Sequence, residues 1–177
     1  IVGGMANNIL NYQGKSIGKS IKEDNCEKII HEIFETSKNH SCTITYPQDV
    51  SVGKNFYDNS KIKEIDKILD DDLILDIGPK TINKIKNIIE NSETVLWNGP
   101  AGYFENPNFA KGSYEIAKAI IKKNKDKTIF SVAGGGDTIA VINQINALED
   151  FDFVSTAGGA FLEYLEGKEL PGIKALN

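Results

Sequence analysis

The segment Thr128–Val141 constrains the fold of this chain more than any other stretch. It reads TIFSVAGGGDTIAV, an apolar β-forming run followed by three glycines, an acid, a hydroxyl and a helix-forming run. This order predicts a buried parallel strand, a loop without Cβ atoms and a helix N-terminus. Such a loop lets backbone N–H groups approach an anion, and the first helical turn adds unpaired donors. The segment therefore predicts either an anion site or a plain strand-to-helix turn.

Asp137 follows the three glycines and has two roles open to it. Its carboxylate is placed either to cap the helix or to hold a cation beside a phosphate. The sequence of this segment alone does not separate these roles.

Composition excludes several classes of protein. The chain has 177 residues, 40% hydrophobic and 25% charged, which suits one soluble domain, residues 1–177, with a sizeable core. A net charge of −5 argues against nucleic-acid binding, and no run approaches the ~18 apolar residues of a membrane helix. Cys26 and Cys42 have neither metal-site spacing nor a disulfide-rich context. We therefore expect a cytoplasmic protein without nucleic-acid or membrane partners.

Hydrophobic spacing predicts alternating strands and helices. Strands are predicted at Ser41–Tyr46, Leu73–Ile77, Thr94–Trp97, Thr128–Gly134 and Asp152–Thr156. Helices are predicted at Met5–Tyr12, Asp24–Ser37, Ile62–Leu69, Thr81–Asn91, Asn108–Lys123, from Asp137 to Ala147, and at Phe161–Leu165. Residues 48–61 are expected to form a loop or short hairpin, and the three acids Asp70–Asp72 an exposed turn. The alternation predicts an α/β fold with a parallel sheet and helices on both faces.

Three successive strands end in loops of small residues. These loops are Asn98-Gly99-Pro100, Gly134–Asp137 and Ala157–Gly159. The carboxyl ends of parallel strands lie on one edge of a sheet, where ligands of open α/β folds bind. The sequence therefore favours an anion-binding cleft at that edge.

The segment Gly14–Ser20, GKSIGKS, matches two catalytic motifs only by letters. A phosphate-binding P-loop requires glycine five residues before Gly18, where Gln13 stands, and no strand precedes the segment. A nucleophile elbow centred on Ser16 requires a strand-turn-helix context. A polar loop is the prediction.

Read together, these loops resemble the C-terminal nucleotide-binding domain of the phosphoglycerate kinase family. The matching runs occur in family order over nearly the whole chain: Gly3–Ala6, Leu75–Pro79, Leu96–Glu105, Phe109–Gly112, Gly134–Thr138, Ser155–Ala160, Leu162–Glu163 and Leu165–Gly172. The resemblance implies a three-layer α/β/α Rossmann-like domain. It also implies reversible, magnesium-dependent phosphoryl transfer between ATP and 3-phosphoglycerate, giving ADP and 1,3-bisphosphoglycerate in glycolysis or gluconeogenesis.

The resemblance assigns roles residue by residue. Gly3 and Gly4 match glycines that border the adenine. Asn98 and Pro100 match residues around the phosphates and ribose, and Glu105 matches a carboxylate on the ribose hydroxyls. Gly134, Gly135, Gly136, Asp137 and Thr138 match the phosphate loop, with Asp137 holding Mg²⁺. Gly136, Gly158 and Gly159 match backbone donors that face the transferred phosphoryl group.

The chain departs from the family pattern in a few places. Ala157 replaces a frequent first glycine, Ile74 replaces a glycine beside the adenine pocket, and Tyr103 replaces a common valine. The family's N-terminal domain, which binds phosphoglycerate, and the first strand of the nucleotide domain with its lysines have no counterpart here. The start at Ile1 without methionine also suggests a fragment of a monomeric two-domain kinase. We therefore expect the chain alone to bind Mg-nucleotide weakly and to lack kinase activity.

Two other classes of function are alternatives to this interpretation. One is a free-standing nucleotide-binding or regulatory module without catalysis, which would require a genuine start near Ile1. The other is a dinucleotide-dependent oxidoreductase, which would require Gly-x-Gly-x-x-Gly after a strand, whereas position 139 is Ile.

Overall fold

The computed structural model describes residues 1–176, in which two helices and two strands are followed, from Leu73 to Leu165, by alternating strands and helices. The α-helices are α1 (Gly3–Tyr12), α2 (Glu27–Asn39), α3 (Pro79–Glu90), α4 (Lys111–Lys125), α5 (Gly136–Gln144), α6 (Gly159–Leu165) and α7 (Pro171–Lys174). The strands are β1 (Asp49–Gly53), β2 (Lys61–Glu64), β3 (Leu73–Ile77), β4 (Thr94–Asn98), β5 (Phe130–Gly134) and β6 (Phe153–Ser155). Within the described residues, no helix has the length and apolar character needed to cross a bilayer.

The chain divides into two compact units. The first unit comprises Ile1–Asn87 with Pro100–Ile116, and the second comprises Ile88–Gly99 with the chain from Ala117 onward.

The first unit is built on a small antiparallel sheet of order β2-β1-β3. All five residues of β1 are buried, and Val50 and Val52 pack with Leu10 of α1 in the core. Apolar side chains from the turn after β2, Ile65 and Ile68, complete that core. Burial of these aliphatic groups is the main source of stability of this unit.

Three buried carboxylates fix the elements of the first unit. The Asp49 carboxylate accepts hydrogen bonds from the N–H groups of Lys80 and Thr81, which begin α3. Asp76 accepts from the N–H of Gly112 at 2.7 Å, in the first turn of α4. Asp72 accepts from both Lys63 and Lys54. The first two satisfy helix N-terminal donors that no intrahelical carbonyl can reach.

The second unit is built on a parallel sheet of order β4-β5-β6, flanked by helices. The α/β fold expected from the sequence is therefore confirmed. On one face of this sheet Trp97 and Ala133 are buried, and Trp97 stacks on Phe151 with ring centroids 6.3 Å apart. The Lys123 ammonium donates to the carbonyl oxygen of Glu90, the last residue of α3, and to that of Ser92, two residues further on. This buried lysine satisfies acceptors that the helix end leaves free.

Four expectations about the first unit are wrong. Ser41–Tyr46 is not a strand, because the chain forms its strand two residues after Pro47, where Val50 and Val52 enter the core. Residues 62–69 are not a helix, because Lys61–Glu64 pairs antiparallel with β1 and a 3₁₀ turn follows. Leu73–Ile77 is a strand, but it pairs antiparallel with β1 and does not join the parallel sheet. Asp72 is buried against lysines, whereas Asp70 and Asp71 are exposed as expected.

Candidate functional site

The carboxyl ends of the three parallel strands are aligned residue by residue. Asn98 at the end of β4 pairs in register with Gly134 of β5, and Gly134 pairs with Ser155 of β6. The loops that follow these three residues therefore leave the sheet from the same edge, as the sequence predicts. We call this set, Asn98, Gly134–Thr138 and Gly158–Gly159, the glycine edge.

Two glycines of this edge are required by local packing. A Cβ on Gly134 would lie 2.8 Å from the Phe161 ring, and one on Gly135 would lie 3.0 Å from the Asn98 Oδ1. Gly135 is also the N-cap of α5 and has a φ of +89°, which side chains rarely adopt. Gly136 differs, because a Cβ there would have no heavy atom within 4 Å. Packing within the unit therefore does not explain glycine at position 136.

Asp137 is the second residue of α5 and is exposed to solvent. The N-cap is Gly135, and no side chain caps this helix, so a capping role for Asp137 is wrong. A carboxylate in the first turn still interacts favourably with the positive end of the helix dipole. Its exposure beside free backbone donors leaves it available to a cation.

Thr138 has a structural role in the same turn. Its buried Oγ1 accepts a hydrogen bond from the Gly99 N–H at 2.7 Å. This bond ties the loop after β4 to the start of α5. It also commits the Thr138 oxygen, whereas Gly136 and Asp137 remain exposed.

The acidic residues determine which metal the edge suits. No group of three or more His, Cys, Asp or Glu side chains with metal-binding geometry occurs among residues 1–176. A complete protein cage of the kind that holds Ca²⁺ or structural Zn²⁺ is therefore absent from the described residues. Mg²⁺ is usually held by one or two carboxylates together with substrate phosphates and water. The single exposed carboxylate of Asp137, in the first turn of α5 and beside the open space in front of Gly136, fits that ion.

The third loop of the edge ends at α6. Gly158 is its N-cap with a φ of +56°, and Gly159 is its first residue. A Cβ at either position would meet no heavy atom within 4 Å, so the space in front of both is open. The backbone of this turn is accessible to a ligand.

An apolar cavity of about 310 Å³ lies within the first unit. Its walls include Gly3, Gly4 and Ile74, which the resemblance associates with the adenine, and Pro100 and Tyr103, which it associates with the neighbouring part of the nucleotide. Ligand pockets typically measure ~300–1,000 Å³, so this cavity is a small one. Its apolar lining suits a flat, uncharged ring better than a phosphate group.

Two glycines that line this cavity, Gly3 and Gly4, stand where a side chain would press against neighbouring atoms. Gly3 has a φ of +64°, and a Cβ on it would lie 3.2 Å from the Pro100 carbonyl oxygen. A Cβ on Gly4 would lie 3.4 Å from the Ile21 side chain. Side chains at these positions would therefore strain the first turn of α1 or narrow the cavity.

Glu105, the expected ribose ligand, is exposed on the loop before α4 and is not among the residues that line the cavity. Its role stays a prediction.

Sequence reasoning missed several residues of the cavity, among them Phe56 and Asn7. Phe56 lines it and packs on Tyr103 with ring centroids 4.9 Å apart. Asn7 lines it from α1 and is only 2% exposed. Neither residue gives a local signal, because Phe56 lies in a loop and Asn7 is followed in α1 by a second asparagine, Asn8, which does not line the cavity.

Asp76 also lines the cavity, and it is buried. Burial raises the pKa of Asp76 to about 7, although hydrogen bonds from the N–H groups of Gly112 and Ile77 act in the opposite direction. Both carboxylate oxygens are engaged by these N–H groups. Asp76 therefore joins the cavity wall to the first turn of α4.

The fold and these features define an α/β protein with a glycine-rich edge at the carboxyl ends of a parallel sheet. The chain belongs to the phosphoglycerate kinase family, because the family model described as phosphoglycerate kinase matches residues 1–168. This result confirms the resemblance seen in the sequence.

Individual relatives agree. The chain is 45% identical to a phosphoglycerate kinase of Zymomonas mobilis and 43% identical to one of Azorhizobium caulinodans, each over 99% of this chain. The structure of phosphoglycerate kinase from Coxiella burnetii matches with a TM-score of 0.91 and 38% identity, covering 99% of this chain and 45% of that one. The enzyme from Pyrococcus horikoshii matches with a TM-score of 0.71 and 30% identity, covering 97% of this chain and 42% of that one. The chain spans about 45% of the length of the curated relatives it matches.

Proposed function

We propose that this chain is the nucleotide-binding half of a phosphoglycerate kinase. The enzyme would transfer a phosphoryl group reversibly between ATP and 3-phosphoglycerate, forming ADP and 1,3-bisphosphoglycerate, in the cytoplasm. The observation that carries the proposal is the register of Asn98, Gly134 and Ser155, which aligns the three small-residue loops of a family member. Phosphoglycerate would bind to a part of the enzyme that corresponds to the remainder of the relatives.

The glycine edge supports phosphoryl transfer in physical terms. The transition state spreads negative charge over the oxygens of the transferred group, so catalysis consists mainly of positioning and charge stabilisation. The N–H groups at the start of α5, near Gly136, are fixed donors that need no reorganisation. The open turn at Gly158 and Gly159 would supply further donors.

Asp137 would hold the Mg²⁺ that accompanies the nucleotide. When bound, this ion would neutralise phosphate charge, which no lysine in the glycine edge can do. The chain itself would keep the carboxylate exposed and place it beside the α5 donors.

The cavity of the first unit would receive the base. Its apolar walls and its Phe56–Tyr103 pair suit an aromatic ring. Gly3, Gly4 and Pro100 would border that ring, and Glu105 would accept from the ribose hydroxyls.

Calorimetric titration of the chain with ADP, with and without Mg²⁺, tests the binding half of this proposal. We expect weak binding that Mg²⁺ strengthens. Asp137→Asn should weaken Mg-ADP binding about tenfold or more while changing metal-free ADP binding little. Equal loss of both would contradict a metal role for Asp137.

Asp126→Asn is the matched control for that variant. Asp126 is an exposed aspartate that precedes the amino end of β5, so its substitution makes the same change of charge away from the carboxyl ends of the strands. It should leave both affinities unchanged.

A coupled kinase assay tests the second half. We expect no turnover by this chain alone, because phosphoglycerate would bind to the part of the enzyme that corresponds to the remainder of the relatives. Turnover near that of an intact enzyme would contradict the proposal that this chain binds the nucleotide but not phosphoglycerate. A free-standing nucleotide-binding module is the alternative, and the intact mass of the protein compared with its encoded reading frame separates the two.

A further inference from the structure

Asn98-Gly99 is the only asparagine-glycine pair in the sequence. In such a pair the glycine nitrogen can attack the side-chain carbonyl carbon of the asparagine, because glycine has no Cβ to hinder the approach. The Gly99 nitrogen bonds to the Asn98 Cγ, and its proton leaves with the side-chain nitrogen as ammonia. Water then opens the resulting succinimide ring at either carbonyl carbon and gives aspartate or isoaspartate. This reaction is deamidation.

The turn after β4 requires glycine at position 99 for its backbone conformation. Gly99 has a φ of +93°, whereas a Cβ there would meet no heavy atom within 4 Å. Asn98 is exposed at the end of β4, so water reaches this residue. Burial therefore does not protect the pair, and protection has to come from hydrogen bonds and backbone geometry.

Gly99 is held at both of its backbone polar groups. Its N–H donates to the Thr138 Oγ1 at 2.7 Å, and its carbonyl oxygen accepts from the Trp97 Nε1–H at 2.8 Å. Thr138 is 0% exposed, so water does not compete for its hydroxyl. The Gly99 nitrogen must leave Thr138 and lose its proton before it can attack Asn98. The bond to Thr138 therefore opposes the first step of deamidation.

We propose that the Thr138 hydroxyl protects Asn98 from deamidation, so that Asn98 is a latent modification site of the glycine edge. The site opens when the bond between the Gly99 N–H and Thr138 breaks. This role goes beyond the proposed function, because it depends on no ligand. One neutral hydrogen bond corresponds to a rate difference of roughly fivefold to tenfold.

Deamidation would change the chemistry of the glycine edge. It adds a carboxylate to the edge that carries Asp137, and the isoaspartate product also inserts the side-chain methylene into the main chain. A further negative charge opposes the approach of an anion. The modified edge should therefore bind phosphate groups less well than the unmodified edge.

Thr138→Val tests the protection, because valine keeps the shape of threonine and lacks the hydroxyl. The protein is incubated at mildly alkaline pH, and deamidation is followed by peptide mapping with mass spectrometry. We expect Thr138→Val to accelerate deamidation at Asn98 about fivefold to tenfold. Thr138→Ser is the matched control, because it retains the hydroxyl, and it should stay within about twofold of the wild type. An unchanged rate in Thr138→Val would overturn the proposal.

Asn91-Ser92 is an internal reference in the same unit. It precedes β4, whereas Asn98 ends that strand, and its Ser92 N–H donates to the Ile89 carbonyl oxygen and makes no use of Thr138. A local effect of Thr138→Val raises the rate at Asn98 and leaves the rate at Asn91 unchanged. Equal acceleration at both asparagines would indicate general loosening of the unit and would contradict a specific role of Thr138.

The unmodified chain provides a test that needs no variant. Deamidation at Asn98 and hydrogen exchange of the Gly99 N–H should both rise with low concentrations of urea and in constant proportion, since both require the same opening. Deamidation as fast in the folded chain as in the urea-unfolded chain would overturn the proposal. This comparison remains decisive if Thr138→Val does not fold.

Asn98→Asp separates this inference from the proposed function. The variant carries the charge of the deamidated residue, and it should weaken ADP binding severalfold if the glycine edge binds phosphate. Unchanged ADP affinity would contradict the place of Asn98 in the nucleotide site. It would leave the protection by Thr138 standing, because the rates of deamidation are measured without nucleotide.

Discussion

The strand β1 at the centre of the first unit's sheet is more completely buried than the strands of the second unit's sheet. In the first unit β1 is buried along its whole length, and the Phe109 side chain is 0% exposed. In the second unit Leu96, Phe130 and Phe153 are 45%, 53% and 53% exposed. The comparison shows that the central strand of the first sheet is covered on both faces, whereas one face of the second sheet is partly uncovered.

Leu96, Phe130 and Phe153 lie on one face of the parallel sheet. Leu96 pairs in register with Val132, and Val132 pairs with Phe153, so these three form a row across the sheet. Phe130 is two residues before Val132 and therefore points to the same side. Parallel sheets are normally covered on both faces, so a half-exposed apolar row is unusual for this type of sheet. The glycine edge is at the carboxyl end of these same strands.

The largest expected difference between the units is in the cost of truncating a phenylalanine. Phe109→Ala should lower the free energy of unfolding by about 3–5 kcal/mol, because it empties a fully buried site. Phe153→Ala should cost less than about 1 kcal/mol, because water already reaches half of that ring. Urea denaturation followed by circular dichroism measures both. Similar losses would mean that the two phenylalanines are equally covered in solution.

The second difference concerns pH and a buried acid of the first unit. Burial raises the pKa of Asp76 from its ordinary value of 3.8 to about 7. Between these two values the folded protein holds a proton that the unfolded chain has released. Stability should therefore fall as pH rises from about 4 to 7, by on the order of 3 kcal/mol, and level off above 7.

Asp76→Asn should remove that slope, measured as the difference between wild-type and variant unfolding free energies at several pH values. The nearby charge of Lys111 favours the ionised carboxylate and is already reflected in this pKa. Asp72 provides the control. Burial alone would raise its pKa, but hydrogen bonds from Lys63, the Leu69 N–H and Lys54 outweigh it and lower the pKa to about 2. Asp72→Asn should therefore change stability with pH only below about 4, and an unchanged slope in Asp76→Asn would contradict the assignment.

The two units also differ in how well the sequence predicts their strands. The strands β4, β5 and β6 and the helices α3, α4 and α5 were recognised because short apolar runs and helical spacing alternate there. In the first unit β1 reads Asp-Val-Ser-Val-Gly, and Asp and Gly are poor strand formers. It is a strand because β2 and β3 pair with it on both sides. The pairing with β2 is the short hairpin that the sequence offered as one alternative for residues 48–61, whereas the pairing with β3 leaves no local signal.

The sequence predicts one part of the candidate site, the glycine edge, better than the other part, the cavity. The sequence predicts the glycine edge because three successive apolar strands end in loops of small residues, one of which carries an acid and a hydroxyl after three glycines. The cavity was foreseen only through Gly3, Gly4 and the other residues of the family pattern. Asn7 was missed because an amide in a helix acquires meaning only when its partners are known.

Gly112 of the first unit and Gly136 of the second differ in the space that a side chain would have. Gly112→Ala should destabilise the protein by about 1–3 kcal/mol, because the new Cβ would lie 2.2 Å from the Asp76 Oδ1. Gly136→Ala should leave stability unchanged or raise it by up to about 1 kcal/mol, because the Cβ meets open space and alanine favours helix. Thermal unfolding of both variants measures this contrast.

Gly136→Ala also separates stability from function. If the α5 N-terminus binds phosphate, the added methyl should weaken ADP binding severalfold in a protein that is no less stable. Unchanged affinity would remove Gly136 from the proposed site. Equal destabilisation by Gly112→Ala and Gly136→Ala would mean that the space in front of α5 is filled in solution.

The smallest expected effect on stability is at the exposed row. Threonine retains strand propensity and adds a hydroxyl, so Leu96→Thr, Phe130→Thr and Phe153→Thr should each change the free energy of unfolding by no more than about 0.5–1 kcal/mol. Together they should reduce concentration-dependent self-association in sedimentation velocity, because contiguous exposed apolar surface promotes contacts between molecules. A loss above about 3 kcal/mol for the triple variant would show that this face is covered in solution, and the contrast between the two units would then disappear.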